Sequence, residues 1–159
     1  MIQICTPAGS LNIRCGKGGV ESVEFAETQL PPADFSAAEQ ECARQLEEYF
    51  TRKRKVFTLP MALKGSPFEL AVWNKLLEIP YGQTLSYGAV AAELGKSGAA
   101  RAVGMACRRN PVAVLVPCHR VVSASGKLTG YAYGIGRKRI LLDLESNDSC
   151  AFSEFNSLT

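Results

Sequence analysis

Ser86-Tyr-Gly-Ala-Val-Ala-Ala-Glu-Leu-Gly-Lys-Ser-Gly98, followed by Ala99-Ala-Arg-Ala-Val-Gly-Met-Ala-Cys-Arg-Arg109, is the stretch that decides the fold. Tyr87, Val90, Ala91 and Leu94 recur at helical spacing, Gly95 to Gly98 turns the chain, and Ala100, Val103 and Cys107 form a second inward stripe. Two short helices with a tight joint predict a helix-turn-helix. The other side of the second helix shows Arg101, Met105 and Arg108 among Ala99, Ala102, Gly104 and Ala106. Small residues there let the helix backbone lie close to a neighbour, whether a helix or a nucleic-acid groove.

Upstream, Ser66-Pro-Phe-Glu69 is a helix start: Ser caps, Pro takes the first helical position and Glu closes the capping box. Phe68, Val72, Trp73, Leu76 and Leu77 give that helix a wide apolar face, ended by Ile79-Pro-Tyr-Gly82. The first third has β-prone runs at Ile2 to Cys5, Leu11 to Cys15 and Val20 to Phe25, separated by turns. Ser36-Ala-Ala-Glu39 then opens a helix to about Phe50, with Ala38, Cys42, Leu46 and Tyr49 as its stripe, and Lys55 to Leu59 reads as a returning strand. These patterns predict an α/β (α+β) chain in two parts: a small strand-helix-strand domain over 1–63 and a mostly helical domain over 64–146. A tail over 147–159 completes it.

The 159 residues are 47% hydrophobic, with 14 Gly and 8 Pro scattered singly, which excludes fibrous and low-complexity classes. The longest apolar run, Val112 to Val116, is far short of the roughly 20 residues that span a bilayer. The opening residues lack the pattern of a signal peptide, so no membrane association and a cytoplasmic location are expected. Cys5, Cys15, Cys42, Cys107, Cys118 and Cys150 read as free thiols, and no C-x2-C spacing suggests structural zinc. The net charge of +3 hides an asymmetry: between Lys96 and Arg139 there are nine basic residues and no acid. Such a stretch points to a polyanionic partner.

After the helix stop at Asn110-Pro111, Val112 to Val116 reads as a buried strand leading into Pro117-Cys-His-Arg-Val121. A free cysteine is ordinarily a small buried hydrophobe, the reading kept for Cys42 and Cys107. Cys118 differs, since it borders Arg120 and the only histidine, His119, inside the acid-free stretch, conditions that favour thiolate. Neighbours on extended chain point to opposite faces, so His119 would reach the thiol only through a water. A carboxylate on the closing helix, Glu145 or Asp143, could fix its tautomer.

Ser66-Pro-Phe, Ile79-Pro-Tyr-Gly82, Ser86-Tyr-Gly88, Arg101-Ala-Val-Gly104, Asn110-Pro111, Pro117-Cys-His-Arg-Val121, Gly130-Tyr131 and Leu141-Leu142 to Glu145 follow one another without a gap. This series resembles the O6-alkylguanine-DNA alkyltransferases. The resemblance implies a ribonuclease-H-like scaffold over 1–63 and a winged-helix-like helix-turn-helix in the second part. It implies repair of O6-alkylguanine, with O4-alkylthymine as a further substrate, by base flipping and single-turnover transfer to Cys118. His119 and Glu145 would relay the proton through water, Tyr87 would donate to the leaving purine and Asn110 would brace the active-site turn. Arg101 would enter the base stack, with Ala99, Ala102, Gly104, Met105 and Arg108 also facing DNA. Pro117, Val121, Tyr131 and Ala132 would line the substrate pocket.

The implied partner is alkylated double-stranded DNA, held through its minor groove with little sequence preference by a monomer. No cofactor and no metal are implied: the zinc some relatives hold in the N-terminal domain needs histidine, and only His119 exists. Ala132 stands where some relatives carry a serine, leaving a backbone N–H as donor to the guanine oxygen. Two other classes compete. A lesion-recognition protein of the same family lacks the reactive cysteine, and a cysteine hydrolase on Cys118 and His119 lacks an evident oxyanion arrangement.

Overall fold

Three strands, β1 (Ile2–Thr6), β2 (Gly9–Gly16) and β3 (Gly19–Ala26), form an antiparallel meander in the computed structural model, which describes residues 1–146. The tail expected over 147–159, with Cys150, lies outside the described residues. Pairing of Ile4 with Leu11, Leu11 with Phe25 and Ile13 with Val23 puts these apolar side chains on one buried face. Helix α1 (Ala37–Phe50) covers it, started by the Ser36/Glu39 capping box and packed through Cys42, Leu46 and Tyr49. Ala38 is exposed rather than part of the stripe. Glu39 turns inward instead, where it accepts from the Cys15 amide at 3.2 Å and pairs with the N-terminal ammonium at 3.2 Å.

Two expected strands are absent. The segment 55–59 bonds to the side of α1: the Thr58 backbone amide donates to Gln45 Oε1 at 2.9 Å, and Gln45 Nε2 donates to the Thr58 hydroxyl at 3.1 Å. Sheet contact comes later, as a single parallel bridge between Val20 and Met61 beside Pro60, which has no N–H for a longer ladder. The run Val112 to Val116 likewise makes one bridge, Val112 to Val23, and then coils into tight turns. Asn110 is the cause. Its Oδ1 accepts from the Val112 amide at 2.9 Å, its Nδ2 donates to the Val116 carbonyl at 2.8 Å, and Val114 between them sits at φ 71°. A β-branched residue in the left-handed region is strained, so the bracing must over-determine the turn.

The second part holds α2 (Pro67–Leu76), α3 (Tyr87–Glu93), α4 (Ala100–Arg108) and α5 (Ile135–Glu145). Between them lie a parallel pair of short strands, β4 (Leu85–Ser86) and β5 (Val121–Val122), and a 3-10 turn over Cys118–Arg120. The Ser66/Glu69 capping box opens α2, with Val72, Trp73 and Leu76 buried and Leu77 exposed. The Trp73 indole donates to the Ala106 carbonyl at 2.8 Å, which ties α2 to α4 and turns Ala106 inward rather than outward. One apolar cluster runs from Leu11 and Leu46 through Trp73 and Val103 to Leu141.

Gly19 fixes the joint between meander and connector: its φ is +118°, and an added Cβ would stand 2.2 Å from the Pro60 carbonyl oxygen. Gly19→Ala should therefore cost about 2 kcal/mol or more, since strained backbone and a backbone clash add. Gly88→Ala, on α3 with open space around it, should be neutral or gain up to about 1 kcal/mol of helix propensity. Urea unfolding of both variants checks this, and equal midpoints would contradict it.

Candidate active site

The Asn110-braced turn delivers Pro117 and then the 3-10 turn, so Cys118, His119 and Arg120 do not alternate as on extended chain. At three residues per turn their side chains diverge by about 120°. Cys118 points to a cavity of about 450 Å³ beneath α4, while His119 and Arg120 point to Glu145 of α5. Among the described residues no hydrogen bond joins the thiol to the imidazole. The open choice between carboxylates is resolved by reach: Glu145 is 1% exposed and its Oε2 lies 2.6 Å from His119 Nε2, whereas among the described residues Asp143 is engaged only through its backbone.

Glu145 is the most heavily bonded side chain of the site. Oε1 accepts from Arg120 Nε at 2.7 Å and the Gly82 amide at 3.4 Å. Oε2 accepts from Arg120 Nη2 at 3.0 Å and the Tyr49 hydroxyl at 2.5 Å, besides His119. Burial would push the carboxyl up, but the His119 and Arg120 donors outweigh it and hold it down at about 2. Burial pushes His119 below its ordinary value against the pull of Glu145, with Arg120 and Lys138 adding to the lowering. The imidazole is therefore neutral, with its proton on Nε2 toward the carboxylate. Nδ1 is then a bare acceptor, buried and without a hydrogen-bond partner among the described residues.

Burial pushes the Cys118 thiol up, against the lowering effects of the Asn110 hydrogen bond, the Lys138 charge and nearby backbone amides. This corrects the expectation that basic neighbours favour thiolate. Arg120 is committed to Glu145 and contributes nothing, so the resting group is a thiol. The Asn110 Nδ2 donor stands 3.2 Å from its sulfur.

Tyr87 opens α3 behind the Ser86 cap and lines the cavity. Its hydroxyl accepts from Lys138 Nζ at 3.4 Å, so its own proton is free to donate, and burial pushes its pKa up. Lys138 also donates to the Val121 carbonyl at 2.6 Å and the Gly130 carbonyl at 2.9 Å, using all three of its protons. Tyr131 packs over Cys118 with a buried hydroxyl and stacks edge-on against Tyr133, which does the same on Phe25 of β3.

Arg101, Gly104, Met105 and Arg108 of α4 form the cavity rim, with Tyr131 and Ala132 opposite. Ala99, the half-buried N-cap of α4 packed against the core, and Ala102, exposed on its outer side, do not line it. Pro117 and Val121 are not brought to this cavity either: Pro117 faces a separate hollow beside Ile79, Tyr81 and Arg120, and Val121 pairs with Leu85. The basic face is also smaller than the sequence suggests, since Arg120 and Lys138 are buried. Lys96, Arg101, Arg108, Arg109, Lys127 and Arg139 remain exposed.

Sequence reasoning missed Lys138 and Tyr49 at the site, set Arg120 beside the thiol rather than on Glu145, and missed Ala100, Cys107 and Thr129 on the cavity wall. Lys138 leaves a signal: it shares the inward stripe of α5 with Leu141 and Glu145. Among the described residues no cluster of three or more His, Cys, Asp or Glu is placed to hold a metal, and no helix is long and apolar enough to cross a membrane.

Fold and site together define an α/β protein with a buried, donor-lined cysteine beneath a helix-turn-helix. The family model of the 6-O-methylguanine DNA methyltransferase DNA-binding domain matches residues 67–147. The methylated-DNA–protein-cysteine methyltransferase of Methanosarcina barkeri is 42% identical over 149 residues, 90% of this chain and 94% of that protein. Its counterpart in Mycobacterium tuberculosis is 52% identical over 116 residues, 73% of this chain and 68% of that protein. The crystal structure of Mycobacterium tuberculosis OGT in complex with DNA matches with a TM-score of 0.82 at 42% identity, covering 94% of this chain and 97% of that one. The chain belongs to the methylated-DNA–protein-cysteine methyltransferases.

The buried pair sets a pH dependence of stability. His119 is lowered from 6.5, so the unfolded chain takes its proton first and stability falls as pH drops below about 6.5. Glu145 is lowered from 4.5 to about 2, so its contribution is complete above 4.5 and lost as pH falls toward 2. Because the chain has one histidine, a fall in the urea midpoint between about pH 7 and 5.5 reports His119. A flat midpoint over that range would contradict the buried neutral imidazole.

Proposed function

We propose that this protein repairs DNA by moving the alkyl group, methyl above all, of O6-alkylguanine in duplex DNA irreversibly onto its own Cys118. The observation that carries this reading is that the Cys118 thiol closes the same cavity whose rim is the exposed face of α4. A base turned out of a duplex lying on that helix has the thiol as its floor. Sγ attacks the alkyl carbon, the S–C bond forms and the C–O6 bond breaks, and the purine leaves with the electron pair.

The thiol proton passes through a water to His119 Nδ1, and Glu145 stabilises the imidazolium. The Tyr87 hydroxyl donates to the purine ring as negative charge leaves with it. Asn110 holds the turn and the sulfur. Transfer consumes the thiol, so each molecule acts once and needs no cofactor.

Arg101 enters the base stack from α4, while Ala99, Ala102 and Gly104 keep that helix close to the minor groove and Arg108 meets phosphate. Contacts of this kind carry little sequence information, so one monomer scans DNA with slight preference. Residues 1–63 act as scaffold, the protein works in the cytoplasm at the nucleoid, and O4-alkylthymine is a second substrate.

Mass spectrometry after mixing with methylated oligonucleotide tests the central claim. The wild-type protein should gain one methyl group on the peptide holding Cys118, and Cys118→Ala should gain none while keeping its affinity for duplex DNA within about twofold, since the thiol meets no phosphate. A methyl group found on another residue overturns the assignment.

Arg101→Ala separates flipping from chemistry. Extruding a base costs a few kcal/mol in duplex and nothing for a free base. Repair of duplex lesions should slow by about tenfold or more, reaction with free O6-methylguanine should stay near the wild-type rate, and single strands should fall between. Equal slowing on all three substrates would make Arg101 structural.

A further inference from the structure

Tyr49 lies in the last turn of α1, in the half of the chain to which only a scaffolding role is assigned. It is 0% exposed, and its hydroxyl donates at 2.5 Å to Glu145 Oε2, the oxygen that faces His119 Nε2 at 2.6 Å. The ring itself is held without help from the hydroxyl, edge-on to Phe50 and Tyr81 and tilted on Phe57, with centroids 5.1, 6.1 and 5.4 Å away. A phenylalanine would fill the same space. Burying a hydroxyl is unfavourable unless it is bonded, and this one spends its proton on the relay carboxylate.

We propose that Tyr49 is a positioning residue for alkyl transfer: its hydroxyl takes part of the charge on Glu145 Oε2 and so limits how strongly that carboxylate draws a proton onto His119. The inference rests on the relay described under Proposed function, in which the imidazole must be neutral at the start to accept the thiol proton at Nδ1.

Every charged or titratable group facing the pair fits this assignment. From the 3-10 turn, Arg120 grips both carboxylate oxygens at 2.7 and 3.0 Å, so Glu145 stays in place when any single neutral donor is lost. From α5, Lys138 stands close enough to disfavour a second cation on His119. From the segment after α2, Tyr81 sends its hydroxyl to the Leu144 carbonyl at 3.2 Å rather than to the carboxylate, and Gly82 offers only a long amide contact to Oε1 at 3.4 Å. Cys118 supplies the proton to be moved. Tyr49 alone, among the described residues, is an uncharged side chain donating to the oxygen that His119 uses. Removing it alters the balance at Oε2 without adding or deleting a charge.

Tyr49→Phe in the full chain is the test, read by NMR and kinetics. The single histidine makes every imidazole signal that of His119. With one donor gone, the His119–Glu145 bond tightens. At pH 7 the Nε2 proton should move further downfield, and the His119 titration should rise by about half to one pH unit, the equivalent of one net hydrogen bond. The acid limb of the pH–rate profile for methyl transfer should move up by the same amount, with the high-pH plateau and DNA affinity unchanged.

An unmoved imidazole signal, or a rate lowered equally at every pH, would overturn the proposal. Tyr49→Leu, which also loses the ring, should give the same His119 shift with lower stability. If only the leucine variant moves His119, packing is responsible and the hydroxyl role falls. Failure of the wild-type protein to take up methyl from DNA would sink the transfer reading instead, and the NMR comparison would still report on Tyr49 independently.

Discussion

Taking a carboxylate out of water is costly unless hydrogen-bond donors replace the solvent it loses, and Glu145 is almost wholly buried. Donors from three parts of the chain meet that demand: Tyr49 of α1, Gly82 after α2, and His119 and Arg120 of the 3-10 turn, all onto a residue at the end of α5. The site and the packing of the two halves are thus one arrangement. Arg120 could not remain buried without this anion, and the tautomer of His119 follows from it. Removing either charged partner, Arg120 or Glu145, would strand the other in the interior, which is strongly unfavourable.

The same logic explains the state of Cys118. Cys118 is buried, which favours the neutral thiol, and the groups that oppose this are few: the Lys138 charge, the Asn110 hydrogen bond and nearby backbone amides. A protein that acts once gains from a thiol that stays protonated until a substrate arrives. In the proposed transfer the neutral imidazole and the carboxylate would already be in place to take the proton, and Tyr87, its pKa raised by burial, would still hold one to give.

Much of this was legible in the sequence because it depends on local rules. The capping boxes at Ser36 and Ser66, the stripes of α3 and α4, and the Pro117-Cys-His-Arg segment carry signals within a few residues. The errors share one cause. Val112 to Val116 has the composition of a strand, but Asn110 bonds across it and bends it into turns. Lys55 to Leu59 has strand propensity, but Gln45 satisfies Thr58 from the helix side. In both cases a polar side chain competed with the sheet for backbone or hydroxyl partners, and apolar patterning does not register that competition. Lys138 and Tyr49 escaped for a different reason. Each sits at a position that looks like core, and only the partner it meets, 17 or 96 residues away, shows that its polar atom is in use.

Lys138 also bears on how the site comes into being. Its ammonium gathers the carbonyls of Val121 and Gly130 and the hydroxyl of Tyr87, so one late residue ties the end of the active-site turn, the loop under Tyr131 and the first turn of the helix-turn-helix. During synthesis the cysteine emerges well before α5, and contacts between distant segments form only after the chain joining them is made. Until α5 docks, the cavity of Cys118 lacks the amine that ties its walls together, and His119 lacks the carboxylate that orients its ring. The growing chain therefore carries an ordinary thiol, and under the proposed relay it would gain its proton acceptor only with the last helix.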